Sequence, residues 1–104
     1  MTGGHRFTRD ASGRLCASFD AQPDFQMFDA IAAFLVKVHH AKVATRASDH
    51  LDTRYWDFRI GGQLVTLHVD WACLDLIAAE PSAEETVRAL APAVTALLSR
   101  AGPA

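Results

Sequence analysis

A chain of 104 residues, half of them apolar and about a fifth charged, has the size and composition of one globular domain, too short for a second full core and too hydrophobic for wholesale disorder. Ten lysines and arginines against twelve aspartates and glutamates leave a formal net charge of -2, so no general attraction to nucleic-acid phosphates or anionic membranes is expected. Cys16 and Cys73, the only cysteines, match neither a zinc-ligand spacing nor a disulfide framework, and read as free thiols of a reducing compartment.

The first residues, "MTGGHRFTRDASGR", lack the apolar core of a signal peptide, and no later apolar run reaches membrane-spanning length. A cytoplasmic location is therefore expected. Gly3, Gly4, Ser12 and Gly13 among scattered charges read as a flexible N-terminal tail over 1–13, ahead of a single domain over 14–100 and a short tail over 101–104. "RLCASFD" alternates Leu15, Ala17 and Phe19 with Arg14, Cys16 and Ser18, the two-residue period of a strand with one face inward. Pro23 and Asp24 then suit the start of a helix, proline because its missing amide is not needed there and aspartate because the dipole favours negative charge.

From Asp24 to about His40, Phe25, Phe28, Ala32, Leu35 and Val36 return at helical spacing. Met27, Ile31, Phe34 and Val38 widen the apolar arc beyond what one sheet should cover, and are read as a possible interaction surface, covered either within the chain or by a second subunit. "KVATRAS" is short enough for another strand.

The firmest reading lies in "RYWDFRIGGQLVTLHVD". Trp56, Phe58 and Ile60 alternate with Tyr55, Asp57 and Arg59, Gly61-Gly62 supplies a two-residue hairpin turn, and Val65, Leu67 and Val69 alternate with Leu64, Thr66 and His68. Pairing Ile60 with Gln63 puts Phe58 opposite Val65 and Trp56 opposite Leu67, which makes one continuous apolar face. On the other face Tyr55 meets His68, Asp57 meets Thr66, and Asp70 lies one repeat beyond His68. An imidazole beside a carboxylate is the minimum for proton transfer, but it is also ordinary cross-strand surface chemistry.

"WACLDLIAAE" fits either a short helix or a final strand, and the compact connection from the hairpin favours the strand. In "EPSAEE", Ser82 is expected to cap a second helix with Glu85 as its capping-box partner, Val87, Leu90, Ala91, Val94, Leu97 and Leu98 turning inward. Pro92 should kink or divide that helix. The elements add up to an α+β, two-layer domain: a mostly antiparallel sheet of four or five strands with two main helices on one face. The run "WDFRIGGQLVTLHVD", through Trp56, Phe58, Gly61, Gly62, Leu64, Leu67 and Asp70, resembles a family of small uncharacterised bacterial proteins. The similarity would extend over roughly Leu15 to Leu98 and implies no chemistry.

No catalytic or cofactor-binding residue is assigned. His39 and His40 are adjacent on a helix and point in different directions, and Gly61-Gly62 opens a strand where a phosphate cradle would open a helix. Arg6, Arg9, Arg14, Lys37, Lys42, Arg46, Arg54 and Arg59 read as a mixed solvated surface, so neither nucleic acid nor membrane is an expected partner. The function expected is that of a non-catalytic protein-interaction or self-association module, with a homodimer or an unidentified protein as partner and no cofactor. The alternative is a small metal-dependent enzyme in which Asp49, His50, His68 and Asp70 supply the ligands.

Overall fold

The structure, a computed structural model, describes residues 4–48 and 53–101. The chain runs β1 (His5–Arg9), β2 (Leu15–Phe19), α1 (Phe25–His39), β3 (Lys42–Ser48), β4 (Arg54–Ile60), β5 (Gln63–Val69), β6 (Leu74–Ala78), a 3₁₀ turn (Pro81–Ala83) and α2 (Glu84–Ala101). The strands form a six-stranded sheet in the order β1-β2-β6-β5-β4-β3, with every neighbouring pair antiparallel. Both helices pack on one face, over a core that includes Leu15, Ala17 and Phe19 of β2, Phe58 of β4, Val65, Leu67 and Val69 of β5, and Leu74 and Leu76 of β6.

The central hairpin has the register that alternation dictates: Ile60 faces Gln63, Phe58 faces Val65, Trp56 faces Leu67 and Tyr55 faces His68. Gly61 and Gly62 both take positive φ, 56° and 83°, the geometry that matches a two-residue turn to the twist of its strands. Residues 74–78 are the strand β6, paired with β5 on one side and β2 on the other. That position buries Leu74, Leu76 and Ala78, which a solvent-facing helix would leave half wet.

The sixth strand lies inside the segment read as a tail. β1 pairs along the whole of β2, from His5 opposite Phe19 to Arg9 opposite Leu15. The turn between them is built by Asp10, whose Oδ1 accepts from the Ser12 and Arg14 amides at 2.9 Å each, with Gly13 at φ 82°. Its inward side chains are tied to α2: His5 Nδ1 lies 2.7 Å from Thr95 Oγ1, Arg88 sits over the Phe7 ring, and Arg9 pairs with Glu84 at 2.7 Å. With one large apolar residue, β1 is held by backbone pairing and polar contacts, which apolar periodicity does not register.

Helix α1 begins at Asp24, whose side chain accepts from the Met27 amide, so the carboxylate is the cap itself and Pro23 precedes it. Arg54 joins the helix to β4, pairing with Asp29 at 2.8 Å and lying 3.9 Å from the Phe25 ring centroid. The wide apolar arc of α1 is partly resolved within the chain. Met27 and Ile31 are buried, Phe34 is half-buried against the core, and Val38 is exposed.

Two expectations about the second helix are corrected. Ser82 does not cap it; the hydroxyl donates to Glu80 at 3.3 Å, and the chain enters α2 through the 3₁₀ turn, whose amides bond to the backbone. Pro92 does not divide α2, which is continuous from Glu84 to Ala101. Pro92 is exposed, so the carbonyl its ring deprives of a partner can be hydrated.

Candidate functional site

The helix-free face of the sheet carries the side chains that alternation turns away from the core. Register lines up Arg6, Ser18, Asp75, His68 and Tyr55 in one row across five strands. His68 lies in this row between Asp75 and Tyr55, and although no helix covers it, it is buried. Tyr55 accounts for one side, stacked on the imidazole with ring centroids 4.7 Å apart. The turn from β5 to β6 accounts for another.

That turn is organised by Asp70. Its Oδ1 accepts from the amides of Ala72 and Cys73 at 2.8 Å each, and its own amide donates to the Cys73 carbonyl at 3.0 Å. An aspartate that satisfies the two amides following it fixes a tight turn without help from neighbouring elements. The consequence is a cluster. Cys73 Sγ donates to Asp70 Oδ1 at 3.3 Å and lies 4.0 Å from His68 Nδ1; His68 Nε2 is 3.4 Å from Asp70 Oδ2, and Nδ1 is 3.5 Å from Asp75 Oδ2. Donor atoms of His68, Asp70 and Cys73 all lie within 4.8 Å of one another.

The electrostatics follow from partial burial. Desolvation alone would raise the Asp75 carboxyl, but hydrogen bonds from His68, Ser18 and Cys73 outweigh it and hold the group below the usual carboxylate range. Asp70 shows the same balance: burial raises it, and the Ala72 and Cys73 amides, the Cys73 thiol and His68 bring it lower still. The Cys73 thiol is pushed up to about 12, first by burial and then by Asp75 and Asp70. Asp75 Oδ1 is buried with no hydrogen-bond partner. The corner thus holds two carboxylates and a protonated thiol around one imidazole.

The turn also presents Trp71 at its tip, 79% exposed. Beside it a cleft of about 420 Å³ is lined by Gly4, His5, Arg6, Ser18, Phe19, Asp20, Ala21, Ala72 and Cys73. A second groove of about 320 Å³, between α1 and β3, has Ala32, Ala33, Val36, Val43 and Trp56 among its lining residues. On the same open face as His68, Asp57 accepts from Thr45 at 2.8 Å and from Thr66 at 2.6 Å, a satisfied carboxylate whose role is to join three strands.

Of the residues singled out by sequence, His68 and Asp70 meet, while Asp49 and His50 lie outside the described residues. Phe34 and Val38 stand on α1, Phe34 in edge contact with His39 at 5.0 Å. Cys73 and Asp75 were missed. The spacing His68-Asp70-Cys73-Asp75 is compact, but only the strand assignment of 74–78, with its antiparallel return, turns that proximity into shared geometry. Comparison of the chain with protein-family models, with curated proteins and with solved structures gave no match.

Proposed function

We propose that the chain is a non-catalytic protein-interaction module that associates with a second copy of itself through the end of the sheet carrying Trp71. The observation that supports this reading is a large aromatic side chain, 79% exposed, held out on a turn whose backbone Asp70 fixes. An indole on a rigid support has little freedom to lose on contact, which is why tryptophan is a frequent anchor of interfaces. The adjoining cleft starts at the next two residues, Ala72 and Cys73, so anchor and receptor share one face. In a two-fold contact each Trp71 enters the other copy's cleft and the assembly closes at two, with Arg6 at the cleft wall available to cover the indole.

The seam drawn along Met27, Ile31, Phe34 and Val38 is less able to serve, because Met27 and Ile31 belong to the chain's own core. The chemistry of the His68 corner favours binding over catalysis. At neutral pH its thiol is protonated, which is not the state of a nucleophile, and its carboxylates are ionised, which is not that of a general acid. Cytoplasmic residence fits two free cysteines. No helix among the described residues is long and apolar enough to cross a membrane.

The second reading, a metal-dependent enzyme, draws support from the gathered donors of His68, Asp70 and Cys73, though Asp49 and His50 contribute nothing that can be described. Size-exclusion chromatography with light scattering tests the first reading. The wild type is expected to be a dimer at micromolar concentration and Trp71→Ala a folded monomer, since an exposed side chain is removed without disturbing the core. A wild type that stays monomeric into the high micromolar range, or a Trp71→Ala protein that still dimerises, overturns it.

A further inference from the structure

We propose that His68, Asp70 and Cys73, with Asp75 beside them, bind a divalent transition-metal ion of the zinc class. The donor set is one imidazole, one sulfur and carboxylate oxygens. Sulfur and imidazole select borderline and soft metals, whereas calcium and magnesium would require oxygen donors throughout. The spacing fits as well. Metal–ligand bonds of about 2.0–2.3 Å in a tetrahedron separate ligand atoms by roughly 3.3–3.8 Å; the 3.3 Å from Sγ to Asp70 Oδ1 and the 3.5 Å from Nδ1 to Asp75 Oδ2 fall within that range, and the 4.0 Å from Sγ to Nδ1 would have to close slightly on binding. Nδ1 is the ring nitrogen shared by the sulfur and Asp75, which makes it the ligating atom.

Charge points the same way. Two carboxylates face a single imidazole in a partly buried corner, and one of their oxygens, Asp75 Oδ1, is buried without a hydrogen-bond partner. A bound dication neutralises that pair, and the thiol proton leaves to solvent as sulfur binds. A structural turn accounts for Asp70 and the β5–β6 register for Asp75; neither accounts for the Cys73 sulfur on the same ring nitrogen. The proposal does not depend on self-association, because its readouts are local to one chain and should persist in Trp71→Ala.

The test is cobalt(II) titration of protein purified without an affinity tag and stripped with chelator. One equivalent should produce a thiolate-to-cobalt charge-transfer band with visible absorption of tetrahedral intensity, and zinc should bleach both by displacement. Cys73→Ser should abolish the charge-transfer band, Asp75→Asn should weaken binding by about ten- to hundredfold, and Cys16→Ser should change nothing. Should Cys73→Ser fail to fold, the wild type alone decides: zinc must shift the Cys73 Cβ and His68 ring resonances in its NMR spectrum while leaving Cys16 unmoved. Absence of a band at cobalt concentrations well above micromolar, a band that survives Cys73→Ser, or unmoved Cys73 and His68 resonances would each overturn the proposal.

Discussion

His68 shows how much a single side chain's environment depends on partners far away in sequence. Alternation along β5 turns it away from the core, and from sequence it reads as one member of a wet cross-strand pair. Tyr55, Cys73 and Asp75 bury it instead. Phe58 is the complementary case, where alternation and burial agree: it points into the core and is fully buried. Phe58→Ala should therefore cost about 3–5 kcal/mol, the loss of transfer energy plus the cavity left in a packed interior. Trp56 faces the same side but is only half-buried, its ring 5.1 Å from Phe28 in edge contact and covered by Arg46 at 4.6 Å. Trp56→Ala should cost clearly less than Phe58→Ala. Urea denaturation of both variants checks the order; equal losses would mean that the edge of the core over β4 is packed as tightly as its centre.

At the scale of elements, the β4–β5 hairpin was legible because its two strands and their glycine turn are contiguous, so register follows from counting. The end of α1 was legible too, at about His40, but the form of its cap was not. His40 adopts φ 56°, ψ 32°, and its amide and that of Ala41 both reach the Leu35 carbonyl. This left-handed position usually belongs to glycine, and a histidine pays steric strain to occupy it. The His40 side chain is exposed, so little packing is lost on removing it. His40→Gly should raise stability by about 0.5–1 kcal/mol, the relief of strain exceeding the added freedom of the unfolded chain. A lower Tm for the variant would show that the imidazole makes a contact worth more than the strain. The start of α2 failed for a related reason: a capping-box pattern is a local signal, and here the 3₁₀ turn, anchored by Glu80 reaching the Leu64 amide at 3.2 Å, sets the entry of the chain instead.

At the scale of the whole molecule, the class, the two helices on one face and the antiparallel pairing could be inferred from pattern, but the sheet order β1-β2-β6-β5-β4-β3 could not. It places β2 beside β6, strands separated by most of the chain, and no local pattern reports such a pairing. The same long-range closure hides the role of β1, whose five residues look like a leader until β2 and α2 are in position. Deleting residues 1–10 would remove the His5–Thr95 contact, the Arg9–Glu84 pair and the cover that Arg88 and Phe7 give each other. It would also leave Leu15–Phe19 as the edge, a strand of sequence LCASF with no charged residue to discourage pairing with another chain. With each lost hydrogen bond worth about 0.5–1.5 kcal/mol, the ladder and the part-buried His5–Thr95 contact together should cost at least about 2 kcal/mol. The truncated chain should unfold at lower urea and aggregate at concentrations where the full chain stays clear. A truncated protein that matches the full chain in both urea midpoint and light scattering would mean that β1 is an ornament on a five-stranded sheet, and that the contacts to α2 contribute nothing to holding it.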